Sequence, residues 1–375
     1  MADIPEASIL AEYDSQRDLY AAYSVKLREL IHELLNEQRI QVHAVTSRVK
    51  GREELRNKIL RPGSKYETLA DVTDIAGIRI TTYFADDVDA VAKVIEGQFT
   101  IDQENSIDKR ASLDLDRFGY LSLHHVVTLA PSRAGLLEYR RFPAIKAEVQ
   151  TRSILQHAWA EIEHDLGYKS RLSVPRAIRR RFSRLAGLLE LADQEFCAIR
   201  DDLRLYEKEV PEQIRRNPRG VKLDLASLTA FVIGDPVVVD IDRAIAASDG
   251  ATITADFKYL EFELDKYQLL GIKTIAQLTA ALRQHKDEVI EFAARWLAQN
   301  PRRKGKRKFT PGISLFYLSH MLPAARGDAR LAAYVSTAGR IAGIPHENAE
   351  RHIAIYREVQ QARGADPAAK PHGRE

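Results

Sequence analysis

Residues 144–152, AIKAEVQTR, alternate between apolar and polar side chains. A period of two predicts a strand with one buried face. The other face carries Lys146, Glu148, Gln150 and Arg152, so that one carboxylate lies among cations and an amide. This combination fits either a solvated edge strand or a strand that faces an anion or a metal ion.

The remaining pattern up to residue 210 mixes helical and strand periods. Apolar positions three and four residues apart predict helices over 9–44, 86–96, 153–169 and 176–210, with a short basic helix around Leu55. The 153–169 helix is expected to bury Ile162. Runs rich in β-branched residues predict strands at 80–84 and 126–129, and the polar residues 100–117 predict a loop. This order predicts an α/β (α+β) domain over residues 1–210.

The second half of the chain has a different pattern. Residues 211–222, PEQIRRNPRGVK, predict a linker, and residues 223–360 predict a mainly helical domain with one strand near 237–241. Residues 361–375 are rich in alanine, glycine, proline and charge, which predicts a disordered tail. The apolar segment 313–322 fits either a core helix or a cover over an active site.

Composition sets the class of protein. The chain has 375 residues, enough for two domains, with 45% hydrophobic and 29% charged residues. It has no apolar run of the roughly 18 residues that a membrane span needs, and its start lacks the pattern of a signal peptide. Cys197 is the only cysteine, which excludes an internal disulfide and a cysteine-based zinc site. We therefore expect a cytoplasmic protein without a membrane partner.

Two acidic residues are candidates for holding a cation. Asp74 directly precedes the predicted strand at 80–84, and Glu148 lies in the strand described first. Mg²⁺ in nucleotide sites takes one or two carboxylates and completes its shell with water and phosphate oxygens. The sequence therefore predicts a magnesium–nucleotide site, although an aspartate before a strand is more often a turn residue.

Cations that would bind phosphates surround these carboxylates in the sequence: Arg48, Lys50, Lys58 and Arg79. Tyr120, at a predicted strand entrance, is a candidate for stacking on a base. Taken singly, each of these residues has an ordinary alternative, a solvated basic face or a half-buried tyrosine. Ser122, His124 and His125 form no hydrolase motif, because they lack a nucleophile elbow and an oxyanion donor.

Ordered motifs link these candidates to a known family. The motifs are SRVK at 47–50, DIAGIR at 74–79, GYLSLH at 119–124, EVQTR at 148–152 and WAEIEHDLGYK at 159–169. Together they resemble the synthetase domain of the RelA/SpoT family, the GTP pyrophosphokinases that make (p)ppGpp. The resemblance implies a mixed sheet flanked by helices, related to nucleotidyltransferases, and transfer of pyrophosphate from ATP to a ribose 3′-hydroxyl.

The resemblance also implies roles for the donor side. Asp74 would hold Mg²⁺, and Glu148 would share the metal or deprotonate the attacking hydroxyl. Arg48 and Arg79 would pack on the adenine and contact phosphates, with Arg79 also counted among the catalytic residues. Lys50 and Lys58 would bind the ATP phosphates.

On the acceptor side, Tyr120 would stack on the acceptor base and His124 would place its sugar or phosphates. Gln150 would either contact the acceptor as well or keep the neighbouring side chains of the site in position. The family places a lysine before this tyrosine and an arginine after it, whereas this chain has Asp116 and Leu121 there. Arg117 would replace one of the missing cations. The resemblance implies a guanosine nucleotide, GDP or GTP, as the default acceptor, although these two positions depart from the family pattern.

Two other functions stay open. Some family members are toxins that pyrophosphorylate the 3′ end of tRNA and carry a restraining C-terminal region, and the extra residues 223–360 are similar in layout. Arginines in 171–184 and the basic segment 302–308 would then follow the tRNA backbone. The third possibility is a degenerate module that only binds or senses a nucleotide. The resemblance is also compatible with a homo-oligomer, and with a trigger protein or ligand that binds the C-terminal domain.

Overall fold

The structure, a computed structural model, describes residues 6–64, 66–108, 122–142, 144–169, 175–257, 259–300, 307–328, 330–332, 335 and 347–365. The chain divides into two compact units, Met1–Asp201 and Asp202–Glu375. None of the helices in the described residues combines the length and apolarity that crossing a membrane requires.

The first unit is a mixed sheet with helices around it. Its elements are α1 (Glu6–Glu37), β1 (Val42–Val49), α2 (Arg52–Ile59), β2 (Ala76–Thr82), α3 (Asp87–Gln98), β3 (Phe99–Ile101), β4 (Ile107–Asp108), β5 (Leu123–Leu129), α4 (Pro131–Ala134), β6 (Ala147–Ser153), α5 (Ile154–Lys169) and the first part of α6 (Arg176–Arg216), a helix that continues into the second unit. The strand order is β1-β2-β6-β5-β3, with β4 also paired to β5. Only β2 and β6 pair in parallel among these strands. The mixed sheet flanked by helices is confirmed.

One face of this sheet is apolar because every second strand residue belongs to a continuous core. Ile78, Ile80 and Val149 are almost completely buried and share that core with Leu27 and Ile31 of α1. Period-two alternation then turns the intervening residues of β2 and β6 to the opposite face. That opposite face carries the polar side chains described below.

Three predictions for this unit are wrong. The helix predicted over 9–44 ends at Glu37, and Arg39 adopts φ 56°, a left-handed conformation that stops a helix, before β1 begins. The loop predicted over 100–117 overlaps β3 and contains β4 in its described part. Ile162 is 56% exposed in α5 rather than buried.

The second unit is mainly helical, as predicted. Its elements are α7 (Leu225–Gly234), α8 (Pro236–Ser248), β7 (Thr252–Ile253), α9 (Leu260–Leu269), α10 (Ile275–Gln284), α11 (Lys286–Gln299), β8 (Lys308–Phe309), α12 (Ile313–Ala325) and α13 (Glu347–Ala365). The apolar segment 313–322 lies in α12, whose Leu315, Leu318 and Met321 are fully buried in the core of this unit. It is therefore a core helix.

The structure also differs from three boundary predictions here. Residues 237–241, predicted as a strand, belong to α8, because Asp235 caps the Val237 amide and Pro236 takes the first helical position. The predicted linker 211–222 begins inside α6, which continues through Pro211 to Arg216. The predicted tail overlaps α13 up to Ala365, and its remainder lies outside the described residues.

A buried carboxylate fixes the start of α12. Asp242 of α8 is 4% exposed and accepts hydrogen bonds from the amides of Gly312 (2.6 Å) and Ser314 (2.8 Å). Burial raises the pKa of Asp242, although these two amides and Ser314 act in the opposite direction. Gly312 adopts φ 83°, which suits glycine, and this lets the chain turn into the helix over Leu260.

Lowering the pH from 7.5 to 5.0 is expected to destabilise the second unit by about 2 kcal/mol. Burial lowers the pKa of His352 from 6.5 to about 4, and nearby Lys266 and Arg351 act in the same direction. The unfolded chain therefore takes up a proton near pH 6.5, whereas the folded unit resists protonation until about pH 4. Stability is fully present above pH 6.5 and is lost as the pH falls. The buried His320, whose pKa is also lowered by burial, adds to the effect.

This prediction is checked by urea unfolding at the two pH values, followed by fluorescence of Trp296 in a Trp159→Phe background. The Trp296 ring lies 4.5 Å from the ring of His352. A His352→Phe variant should show a smaller pH dependence. Equal unfolding free energies of the unsubstituted unit at both pH values would contradict the prediction.

Candidate functional site

Strand register gathers polar side chains on one face of the sheet. In the parallel β2–β6 pair, Gly77 lies opposite Glu148 and Arg79 lies opposite Gln150. Residues opposite each other point to the same side of a sheet, so Arg79, Glu148 and Gln150 share a face. The alternation seen in the sequence therefore produces a polar face, as predicted.

The two flanking strands extend this face. His124 of β5 is paired with Gln150, and Arg48 of β1 is paired with Gly77. A Cβ on Gly77 would lie 3.3 Å from Cγ of Arg48, so the absence of a side chain there gives the arginine room to cross the strand. Gly77 thus leaves room for the side chain of Arg48, which crosses over it on the polar face.

Asp74 lies between two lysines at the edge of this face. Its Oδ2 is 3.0 Å from Nζ of Lys50, and its Oδ1 is 2.9 Å from Nζ of Lys58. Lys50 is held in place because its amide donates to the Ile75 carbonyl (2.9 Å) and its carbonyl accepts from the Tyr13 hydroxyl (2.6 Å). The backbone at the end of β1 therefore fixes one of the two cations against the carboxylate.

One carboxylate oxygen of Asp74 faces Lys58. Oδ1 of Asp74 is a buried atom, and it pairs with the Lys58 ammonium at 2.9 Å. Burial lowers the pKa of Lys58, but Asp74 more than offsets this, and the pKa stands above its usual value. A carboxylate oxygen has a second lone pair beyond one such contact, so Oδ1 fits a Mg²⁺ ligand.

Glu148 is held by a chain of hydrogen bonds. Its Oε1 accepts from Nδ1 of His124 (2.8 Å), and its Oε2 accepts from Nε2 of Gln150 (2.8 Å). Burial raises the pKa of Glu148, but the bonds from His124 and Gln150 and the nearby charge of Lys58 outweigh it and lower the pKa to about 2. Glu148 is therefore ionised throughout the physiological range, which suits a partner of cations better than an acceptor of protons.

The chain continues to Ser122, whose Oγ lies 2.6 Å from Nε2 of His124. Because an ionised Glu148 only accepts hydrogen bonds, Nδ1 of the His124 ring carries a proton and donates to it, while Nε2 is held by the Ser122 hydroxyl. This order resembles a hydrolase triad, but Ser122 is 1% exposed and cannot meet a substrate carbonyl. Ser122 is thus a positioning residue for His124.

Replacing Ser122 by alanine is expected to lower kcat at this site about tenfold. The His124 ring then loses the hydrogen bond that fixes its orientation. The measurement is steady-state kinetics, in which kcat falls and KM for the nucleotide donor stays nearly constant. Ser122→Thr keeps the hydroxyl and should restore most of the rate. An unchanged kcat in Ser122→Ala would show that the serine only fills space.

Arg79 contacts an acidic residue that sequence reasoning did not assign to the site. Its Nη1 is 2.9 Å from Oε1 of Glu161 on α5, and Nη2 of Arg152 lies 3.2 Å from the same oxygen. Arg152 is 2% exposed. The only sequence signal that could have indicated Glu161 is its position in the helix that directly follows β6.

The structure brings together Asp74, Lys50 and Lys58, and separately Glu148, His124 and Gln150, with Lys58 electrostatically close to both carboxylates. The predicted acceptor residues Tyr120 and Arg117 lie outside the described residues. In the described part of the chain, no group of three or more histidines, cysteines, aspartates or glutamates could hold a metal ion. A magnesium site with one or two protein carboxylates does not need such a group.

Two cavities adjoin these residues. One, of about 510 Å³, is lined by Lys58, Arg61, Tyr66 and Lys146 among others and is therefore basic. The other, of about 470 Å³, is lined mainly by α3 and by His125 with its partner Glu96, and it reaches His124 only at its margin. The polar face thus has space on its lysine side.

Comparison with known proteins finds similar sequences over the first part of the chain. Residues 47–173 match the family described as a region found in RelA/SpoT proteins. The chain is 28% identical over 160 residues to GTP pyrophosphokinase YwaC of Bacillus subtilis (strain 168), covering 42% of this chain and 73% of the relative. It is 29% identical over 165 residues to GTP pyrophosphokinase YjbM of the same organism, covering 43% and 74%.

A solved structure is also similar. The structure of a GTP pyrophosphokinase family protein from Streptococcus pneumoniae is 30% identical, with a TM-score of 0.43, and the match covers 51% of this chain and 94% of that one. The match of residues 47–173 to the RelA/SpoT family confirms the resemblance inferred from the motifs. About half of the chain or more is left unmatched in each case.

Proposed function

We propose that the chain, which belongs to the RelA/SpoT family through residues 47–173, transfers pyrophosphate from ATP to the 3′-hydroxyl of a guanosine nucleotide. In this reaction the bond between the α- and β-phosphates of ATP breaks and AMP leaves. A new bond forms between the acceptor 3′-oxygen and the β-phosphorus, and the hydroxyl proton goes to solvent or to a nearby base. GDP or GTP would yield (p)ppGpp.

The observation that carries the proposal is the pairing of the partly buried Asp74 with Lys50 and Lys58, beside an ionised Glu148. A triphosphate that loses AMP develops negative charge on its oxygens, and fixed cations in a partly buried site stabilise that charge. The basic cavity beside Lys58 offers space for these phosphates. Arg48 and Arg79, on the same face, would hold the adenine end and further phosphate oxygens.

Asp74 and Glu148 would hold Mg²⁺, with Oδ1 of Asp74, which keeps a lone pair beyond its contact with Lys58, as one ligand. When bound, the ion would neutralise phosphate charge and lower the pKa of a hydroxyl near it. With a pKa of about 2, Glu148 is a weak base, so we assign it to cation binding and to orienting the hydroxyl. His124, fixed by Ser122, would contact the acceptor sugar or phosphates.

The proposal is tested by incubating the full chain with γ-labelled ATP, Mg²⁺ and GDP or GTP. The expected products are unlabelled AMP and a labelled guanosine nucleotide that carries the pyrophosphate on its 3′-oxygen. The control omits the acceptor. Release of labelled inorganic phosphate or pyrophosphate without a labelled nucleotide would instead show hydrolysis.

The 3′ end of tRNA is the second candidate acceptor. Arg179, Arg180, Arg181 and Arg184 are exposed on the first turns of α6, in the same unit as the polar face. Such cations would follow a phosphate backbone. The sequence also has Asp116 and Leu121 where the family has cations for a nucleotide acceptor. If tRNA is the acceptor, the second unit would restrain the transfer activity.

A parallel reaction with bulk tRNA distinguishes the two acceptors. Reversing the charge of Arg179, Arg180 and Arg181 should weaken labelling of tRNA several-fold and leave labelling of GDP unchanged. The matched control reverses Arg215 and Arg216, which are exposed at the other end of α6. Labelling of GDP alone would exclude the tRNA function, and labelling of tRNA alone would exclude the guanosine nucleotide.

A further inference from the structure

A cavity of about 210 Å³ opens in the second unit between α9 and the segment that leads into α12. Its volume equals that of about seven water molecules in the liquid. Its walls are largely aromatic and aliphatic, with Tyr259, Phe262, Phe309, Ile313 and Phe316 among the lining residues. Such a concave apolar space with a few polar groups is typical of small-ligand sites.

The polar groups of the cavity are an ion pair within α9. Glu263 and Lys266 are 5% and 4% exposed, and Nζ of Lys266 donates to Oε1 of Glu263 at 2.7 Å. The second glutamate oxygen accepts from Oγ of Ser319 at 2.8 Å. The carboxylate is therefore satisfied at both oxygens by groups of its own unit.

The ammonium of Lys266 is not satisfied in the same way. Of its three N–H groups, one donates to Glu263, and the other two have no acceptor among the described residues. Its Nζ lies 4.9 Å from the ring centroid of Phe316, a cation–π distance. A buried ammonium with spare donors is costly unless another acceptor completes its shell.

The remaining charge of the lining is positive. Lys266 and the exposed Lys308 contribute two positive charges and Glu263 one negative charge, which leaves one positive charge. His320, 3% exposed, contacts the Phe316 carbonyl through Nδ1 at 2.7 Å. That contact requires Nδ1 to carry the proton, so Nε2 of the neutral ring is an acceptor.

From these contacts we propose that the cavity binds a small carboxylic acid with an aromatic or branched aliphatic body. The carboxylate accepts hydrogen bonds from the spare donors of Lys266, and the body packs against Phe316, Phe309 and Ile313. The spare donors favour an anion over its neutral amide, and the cavity volume limits the body to about one ring. This site is independent of the proposed synthetase function.

The test is isothermal titration calorimetry of the full chain with 3-phenylpropionate, and with 3-phenylpropanamide as the uncharged match. We expect a dissociation constant below about 1 mM for the acid and binding at least tenfold weaker for the amide. Equal affinities would show an apolar cavity without acid recognition, and the proposal would then be wrong. Absence of heat with the acid at about 10 mM would also overturn it.

Variants locate the site. Lys266→Met combined with Glu263→Gln removes both buried charges together and should abolish the preference for the acid. If this double variant fails to fold, Ile313→Trp fills the cavity without touching the ion pair and should weaken binding at least tenfold. The matched control is Ile233→Trp, at a residue 60% exposed that does not line this cavity. Unchanged binding in Ile313→Trp would place the acid elsewhere.

Discussion

Replacing Glu148 by glutamine is expected to reduce pyrophosphate transfer by at least about a thousandfold without unfolding the first unit. The glutamine side chain is nearly isosteric with glutamate. Its oxygen can still accept the hydrogen bond from His124, which is 2.8 Å long with Glu148. The negative charge, however, is lost from a site where the pKa of about 2 shows that the surroundings stabilise it strongly. A cation shared with Asp74 would then lose one of its two anionic partners.

The measurement is the rate of AMP release and of acceptor labelling, together with circular dichroism to verify folding. The matched control is Glu96→Gln, because Glu96 also pairs with a histidine, His125, at 3.1 Å. By strand alternation His125 lies on the face opposite to His124. Near-normal AMP release by Glu148→Gln would remove this carboxylate from the mechanism.

Replacing Asp242 by alanine is expected to destabilise the second unit by about 2–4 kcal/mol. The substitution leaves the amides of Gly312 and Ser314 without an acceptor at the buried start of α12. That helix carries several fully buried core residues, so a loosened start disturbs the core of the unit. Asp242→Asn keeps one acceptor oxygen and should lower the unfolding free energy by about half as much.

Urea unfolding followed by Trp296 fluorescence, again in the Trp159→Phe background, measures this loss. The control is Asp240→Ala on the same helix, whose side chain is 59% exposed and should change the unfolding free energy by less than about 0.5 kcal/mol. If Asp242→Ala were as stable as the control, the bonds to α12 would contribute nothing to folding.

The sequence predicted the central strands better than the edge strand. Residues 144–152 show clear alternation because β6 lies between β2 and β5 and buries one face. β1 lies at the edge of the sheet, and its residues are only partly buried or exposed, so its pattern is weak. Residues 237–241 show the reverse error: three consecutive valines favour a strand, but the cap at Asp235 and the core contacts of Val238 and Ile241 stabilise a helix.

For the candidate site, residue types indicated the chemistry but not the contacts. Asp74, Lys50 and Lys58 were selected as separate motifs, and the pairing of β1 with β2, continued by the backbone bond between Lys50 and Ile75, brings Lys50 to Asp74. Ser122 was set aside because no hydrolase motif surrounds it, whereas its role depends on a strand pairing that the sequence does not show. Glu161 was missed for the same reason, since its partner Arg79 lies on a different element.

The parallel pairing of β2 with β6 has a consequence for synthesis on the ribosome. The two strands are joined by contacts between residues 70 positions apart, such as the Thr82 hydroxyl with the Arg152 carbonyl. Distant pairings of this kind form late, because the loop between them must first be closed. A nascent chain that has exposed Asp74 but not yet Glu148 therefore lacks half of the carboxylates, and the proposed activity arises only after β6 has emerged and joined the sheet.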